Sequence, residues 1–421
     1  MKQVSLTMLV FLPSLAAADA GVTAESAGTR PQAFYILSLP ELPRPDLGET
    51  GLPEAAVRAV RDCWRADAAL QALSIARAGA RPSDERGRLD RELLAAERRL
   101  AVERERALSL LARATAPEAL FVRARLEWDR AQETYLQAME AFEAALRARE
   151  RGAPGELSAE PRLALGPALA QLEALLAQHP KHELADDALL LTGYLREQQA
   201  RPAAAVKAWR ALIRAYPESP HAVEAWLRLG EILFDEGSLA EAAEAYERAL
   251  ASEPQGRYAE IALYKLGWSL YRQDRYPQAA LRFAELLERI EGGRTSRPEL
   301  RSEALQYLVF CFSEPRAGGG LAGLRRFLGA RGRTAWGPDA MALLGEVYLA
   351  EARYMDAVAA LRAALDAAPL HPANPDRARG LVIALRRAGR EAEAEAAARD
   401  LGARFGPGSD WAEANPGRGP R

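Results

Sequence analysis

From about Pro53 onward, apolar residues recur at helical spacing, and the pattern divides the next hundred residues into three long helices. The first runs to about Ala78, the second from about Ser83 to Thr115 and the third from about Pro117 to Arg151. The second carries seven acidic and seven basic residues between Asp84 and Arg106, so its outer face is a balanced, solvated mixture of signs. In the third, Phe121, Trp128, Tyr135 and Phe142 recur every seven residues, with Ala124, Ala131, Ala138 and Ala145 at the same interval. Large side chains on one row and small ones on the next suit close packing against another helix. The expected neighbour is the 83–115 helix, giving an antiparallel hairpin across the turn near Pro117; the alternative is self-association through residues 117–151. Gly152, Pro154 and Gly155 end the third helix.

The second half of the chain repeats. Trp226, Leu229, Gly230, Leu233, Ala242, Tyr246, Ala249 and Pro254 return 37 residues on as Leu263, Leu266, Gly267, Leu270, Ala279, Phe283 and Leu286. Met341, Leu344, Gly345, Tyr348, Ala357, Leu361, Ala364 and Pro369 form another copy. Weaker ones start at Ala188 (Leu191, Leu195, Ala204, Ala208, Ala211) and Ala378 (Leu381, Leu385, Ala394, Ala398, Leu401), and residues 301–337 hold a degenerate one interrupted by Gly318, Gly319 and Gly320. This spacing resembles the tetratricopeptide repeat, in which a small residue lets the second helix of each unit approach the first. A single helix pair cannot bury its apolar face alone, so units stack on one another. The resemblance implies an all-α fold, a right-handed solenoid of about six helix pairs over residues 160–405, with a concave groove, preceded by the long hairpin of 53–151 and followed by a flexible tail at 406–421.

The run Ala262-Leu263-Tyr264-Lys265-Leu266-Gly267-Trp268 and the close Tyr216-Pro217-Glu218-Ser219 are similar to repeats of the periplasmic coordinator of the Tol–Pal system, of the outer-membrane β-barrel assembly lipoprotein, and of myxobacterial envelope and gliding proteins. The chain lacks a lipidation Cys and has about 100 extra helical residues, so the resemblance is to this class of repeat and not to one pathway.

Residues 1–20 read as a cleavable leader: Lys2, an apolar stretch from Val4 to Leu15, then Ala18-Asp19-Ala20 before Gly21. An apolar stretch of that length is shorter than the roughly 20 residues a spanning helix needs, so no membrane insertion of the mature chain and a periplasmic location are expected. Residues 21–52 form a proline-rich extended linker, with Pro31, Pro40, Pro43 and Pro45 forbidding a continuous helix. The apolar Ala33–Leu39 segment inside it docks either on the chain's own helices or on a partner.

Composition narrows the chemistry. Hydrophobic residues are 49% of the 421, enough for a sizeable core, and 56 basic against 58 acidic residues leave no positive excess for nucleic acid. Four His and two Cys offer little for metal or acid–base work. Cys63 and Cys311 read as two separately buried thiols or, less simply, one disulfide. His179 and His182 flank Pro180, while His221 and His371 sit beside prolines at unit junctions, as surface or capping residues. No metalloprotease, nucleophile-elbow or phosphate-loop motif occurs. The expectation is a non-catalytic scaffold without a cofactor or metal, binding envelope proteins or peptides.

In this repeat class the first helix of each unit lines the groove. That places Leu227, Glu231 and Phe234 on one such helix and Tyr264, Trp268 and Tyr271 on the next, as candidate protein-binding residues. The Lys/Asn carboxylate clamp of chaperone-binding repeats is absent, since Gly193, Glu231 and Trp268 stand where its Asn would be. An apolar or extended segment anchored on aromatics is therefore the expected ligand, the alternative being that these aromatics pack against an adjacent unit or against residues 33–39.

Overall fold

The computed structural model describes residues 44–417 apart from 49, 51, 80–83, 152–156, 294–296, 314–318 and 333. The leader, the 33–39 segment and most of the linker lie outside the described residues. Those described form seventeen helices and no strand: α1 (Glu54–Gly79), α2 (Asp84–Leu111), α3 (Pro117–Glu150), α4 (Gly166–Gln178), α5 (Ala185–Gln198), α6 (Pro202–Ala215), α7 (Ala222–Asp235), α8 (Leu239–Ser252), α9 (Ala259–Tyr271), α10 (Tyr276–Glu291), α11 (Leu300–Ser313), α12 (Gly320–Arg331), α13 (Gly337–Ala350), α14 (Tyr354–Ala367), α15 (Asn374–Arg387), α16 (Glu391–Phe405) and α17 (Asp410–Ala414). The chain divides into two compact units, the first ending at Ala225 and the second beginning at Trp226, within α7.

In the first unit, α1 and α2 form the antiparallel hairpin. Arg77 is paired with Asp90 near their connection, and Ala56, Ala59, Val60 and Cys63 share a core with Ala107, Leu108 and Leu111 at the other end. The expected pairing of α2 with α3 is therefore corrected. Those helices meet around Ala119, Val122 and Leu126 and through Arg104–Glu133, while α3 takes α4 as its main neighbour. The reason is in the two patterns: α2 has too few apolar positions to serve both neighbours, and Leu169, Leu172 and Leu175 of α4 give the α3 seam a richer surface. Trp128 is buried and donates from Nε1 to Gln198 at 3.1 Å. Cys63 is free and buried, and burial pushes its thiol up to about 12, leaving it protonated at neutral pH.

In the second unit each helix packs on its sequence neighbour, as a stack of helix pairs. The degenerate copy is α11 with α12. Gly319 and Gly320 both take left-handed backbone, and α12 buries only Gly323 and Leu324, so α11 packs directly on α10 and α13. Cys311 is likewise buried. The tail expected to be flexible from residue 406 is corrected as far as residue 417. Trp411 of α17 is buried edge-on to Phe405 and donates to the His371 carbonyl at 2.8 Å, and Asn415 reaches the Leu370 carbonyl at 3.0 Å. A short capping helix thus covers the last pair, as terminal repeats require.

The turn between the two helices of a pair has one chemistry in five of the pairs. A residue in left-handed conformation ends the first helix, and the next N–H bonds back to the carbonyl five residues before it, the Schellman arrangement. Arg201 bonds to Arg196, Ser238 to Leu233, Arg275 to Leu270, Arg353 to Tyr348 and Arg390 to Leu385, at 2.8–3.0 Å. The left-handed residues are Ala200, Gly237, Asp274, Ala352 and Gly389. Asp274 compensates by accepting from the Tyr276 hydroxyl at 2.6 Å, whereas the alanines have no such partner and bear the left-handed cost of roughly 1–2 kcal/mol. Ala200→Gly and Ala352→Gly are each expected to stabilise their unit by about 0.5–1 kcal/mol net of glycine's extra unfolded-state freedom, read as a higher urea midpoint with unchanged slope.

Candidate functional site

The packing rule inside each pair sets which side chains are left for partners. A Cβ on Gly193 would sit 2.4 Å from the Trp209 ring, one on Gly230 2.6 Å from Tyr246, one on Gly267 2.8 Å from Phe283 and one on Gly345 2.7 Å from Leu361. The spacing from glycine to the bulky residue is 16 in all four. Each glycine therefore holds the second helix of its pair against the first. The large residues on the rest of the first helix must find room against the next pair.

That is where most of the candidate groove residues go. Leu227 and Tyr264 are fully buried, Trp268 is 3% exposed and Phe234 is 7% exposed. Trp268 lies 4.3 Å from the Tyr307 ring of α11, centroid to centroid, and donates from Nε1 to the Tyr264 hydroxyl at 3.1 Å. Tyr264 in turn donates to Glu303, at the start of α11. Tyr271 is half-buried against Trp268, Tyr276 and Tyr307. Of the two readings of this face, the structure has Tyr264 and Trp268 packed on α11 of the adjacent unit, and Leu227 and Phe234, equally buried, are corrected as groove residues with them. Neighbouring first helices lie close enough that a ring on one reaches the other, and an aromatic gains more by staying there than in water.

Glu231 is half-buried and fully engaged. It accepts from the Tyr246 hydroxyl at 2.7 Å and from Lys265 Nζ at 2.8 Å. Lys265 also lies 5.6 Å from the Phe234 ring centroid, and the exposed Arg272 lies over the same ring at 5.1 Å. The structure therefore brings Glu231, Phe234 and Tyr271 together with Lys265 and Arg272, two residues the apolar spacing could not single out. Burial and the Glu231 carboxylate hold the Tyr246 hydroxyl well above its ordinary range. Burial and the Glu303 bond do the same for Tyr264, and burial takes Tyr307 up to about 12. These hydroxyls are neutral donors, not acid–base groups.

Polar ties between consecutive first helices recur along the chain. His182 Nε2 meets Glu118 at 3.2 Å, His221 meets Asp187 at 2.8 Å and His371 meets Asp339 at 3.3 Å, each carboxylate lying in the first turn of the preceding first helix. His182 and His371 also accept, through Nδ1, the backbone N–H two residues on, which for His371 is the capping role its position suggests. Asp339 takes Arg301 and Arg377 as well, and Tyr194 donates to Glu224. The tie at Glu118 makes α3 with α4 a further pair of the same kind, which the aromatic seam of α3 conceals. Among the described residues no group of three or more His, Cys, Asp or Glu could hold a metal ion, and no helix is long and apolar enough to cross a membrane.

Family comparison agrees with the internal period. One tetratricopeptide-repeat model matches residues 190–257 and 342–410, and a second matches residues 261–289. The degenerate α11–α12 copy lies between the matches. No curated protein matches the chain. Among solved structures it is similar to a tetratricopeptide repeat protein from Parabacteroides merdae, at 16% identity over 53% of this chain and 80% of that one, with a TM-score of 0.29. It is also similar to MamA from Desulfovibrio magneticus RS-1, at 14% identity over 51% and 92%, TM-score 0.23. A third similar structure is Naa15/Naa10 bound to HypK-THB, at 20% identity over 75% and 41%, TM-score 0.35.

Proposed function

Because the chain carries tetratricopeptide repeats, a fold that serves protein–protein interaction, we propose that it is an exported, non-catalytic scaffold that gathers proteins of a bacterial envelope. The observation that carries the reading is the contrast on α7 and α9: the rings are spent on internal packing, while Arg272 stands exposed beside the half-buried Glu231, Lys265 and Tyr271. An extended segment meets this face through side chains, with a carboxylate on the exposed Arg272. Of the two ligands anticipated, a largely apolar peptide fits it less well than an extended segment. Export rests on the leader pattern of residues 1–20, with the mature chain starting at Gly21.

Two measurements test the proposal. N-terminal sequencing of the protein from a periplasmic fraction should return Gly21; an uncleaved chain in the cytoplasm overturns export. Arg272→Glu and Tyr271→Ala, used as baits on an envelope extract, should each lose the captured partner about tenfold or more. Arg272→Glu should leave the melting profile in place, because the guanidinium is exposed. Capture retained by both variants overturns this face as the binding surface.

A further inference from the structure

The seam of α3 changes its surroundings halfway along without changing its residues. Phe121, Ala124, Trp128 and Ala131 are buried in the first unit. One turn later the same rows leave the core: Tyr135, Ala138, Met139 and Phe142 are half-buried, Ala145 is exposed, and Leu136 and Leu146 are 46% and 37% exposed. The sequence thus keeps core-type residues for two further heptads that the described residues cover only in part. With Tyr135 and Phe142 at the first position of each heptad, the positions that would face a second helix between 134 and 148 hold Thr134, Tyr135, Ala138, Met139, Ala141, Phe142, Ala145, Leu146 and Ala148. No charge falls among them. Glu140, Glu143 and Arg147 all lie on the outer face, where Glu143 pairs with Arg147 at 3.5 Å.

We infer that residues 132–150 of α3 are a dimerisation helix that pairs antiparallel with the same segment of a second copy. Size selects the occupant. In an antiparallel seam first positions face fourth positions, so Phe142 meets Ala138 of the other copy and Tyr135 meets Ala145, a ring against a methyl at every layer. Parallel pairing would put ring on ring and leave gaps between alanines. The antiparallel direction also opposes the helix dipoles. The contact is isologous and closes as a twofold dimer. A seam of 15 residues is only about 22 Å long, so the dimer forms reversibly with concentration.

Sedimentation equilibrium of the full chain across about 1–200 μM tests this, with the mass expected to climb from one chain towards two. Phe142→Glu should hold it at one chain while the melting profile and helical circular dichroism stay as in the parent. Direction is read with single cysteines at the seam ends, the native Cys63 and Cys311 being buried. Chains carrying Tyr135→Cys should cross-link to chains carrying Ala145→Cys, and neither should cross-link to itself. A mass of one chain throughout overturns dimerisation, and self-cross-linking of either variant overturns the antiparallel pairing.

Discussion

Gly193→Ala is expected to cost the first unit about 2–3 kcal/mol, an unusual loss for adding one methyl group to a helix. On propensity alone the change would stabilise a helix by roughly 1 kcal/mol. Sterics decide otherwise, because the new Cβ would lie 2.4–2.6 Å from three atoms of the Trp209 ring. That ring cannot easily retreat: it is fully buried, edge-on to Tyr194 at 5.3 Å, and its Nε1 donates to Glu197 at 2.8 Å. Trp209→Ala should itself cost about 3–5 kcal/mol by opening a cavity. The informative measurement is the pair. The Gly193→Ala methyl would project into the space that Trp209→Ala empties, so urea unfolding of the double variant should show it at least 1 kcal/mol more stable than the two single losses predict. Strict additivity would mean that glycine and ring do not meet.

The same pair shows what a single sequence reveals. Gly230 and Gly267 were legible because strong neighbours flank them, Trp226 and Leu229 in one case, Leu263 and Leu266 in the other. Gly193 does the same work in a copy weak enough that its glycine drew attention only as a missing Asn. The invariant is the 16-residue distance to a bulky partner on the second helix, and it identifies Trp209 as firmly as Tyr246 or Phe283. Helix existence followed from periodicity for α1 to α3, since amphipathic spacing is a local property. Which helices pair is a contest between surfaces distant in sequence. The α3 seam prefers the leucines of α4 to the charge-rich α2, and spacing within α3 says nothing of that. The groove stayed open between two readings for a related reason. Tyr264 and Trp268 lie on the correct face, but whether a ring there meets solvent depends on how closely the next first helix approaches. That distance is set by residues such as Tyr307, in the copy that repeat matching reads worst. The polar ties were hidden because each joins residues 30–64 apart whose types look like ordinary surface chemistry.

Trp268→Ala is expected to cost the second unit about 3–5 kcal/mol, the loss proper to a buried indole and not to a partner-facing one. The ring is 3% exposed, with Tyr307 at 4.3 Å and Tyr271 at 6.4 Å between centroids. Its N–H also supplies the Tyr264 hydroxyl, which is itself committed to Glu303. Removing the indole therefore opens a cavity, strips one partner from a buried hydroxyl and loosens the contact between α9 and α11. Trp268→Phe separates these effects. It retains a ring against Tyr307 but loses the donor to Tyr264, and should cost about 1–2 kcal/mol. Arg272→Glu, one turn further on just past the end of α9 and exposed, should cost almost nothing, because an exposed guanidinium over a ring contributes under about 1 kcal/mol. The ordering Trp268→Ala, then Trp268→Phe, then Arg272→Glu in unfolding free energy should be the reverse of their ordering in specific loss of partner capture. A Trp268→Ala protein that melts like its parent yet captures nothing would place the indole in the binding face and return the aromatic-anchored ligand to first place.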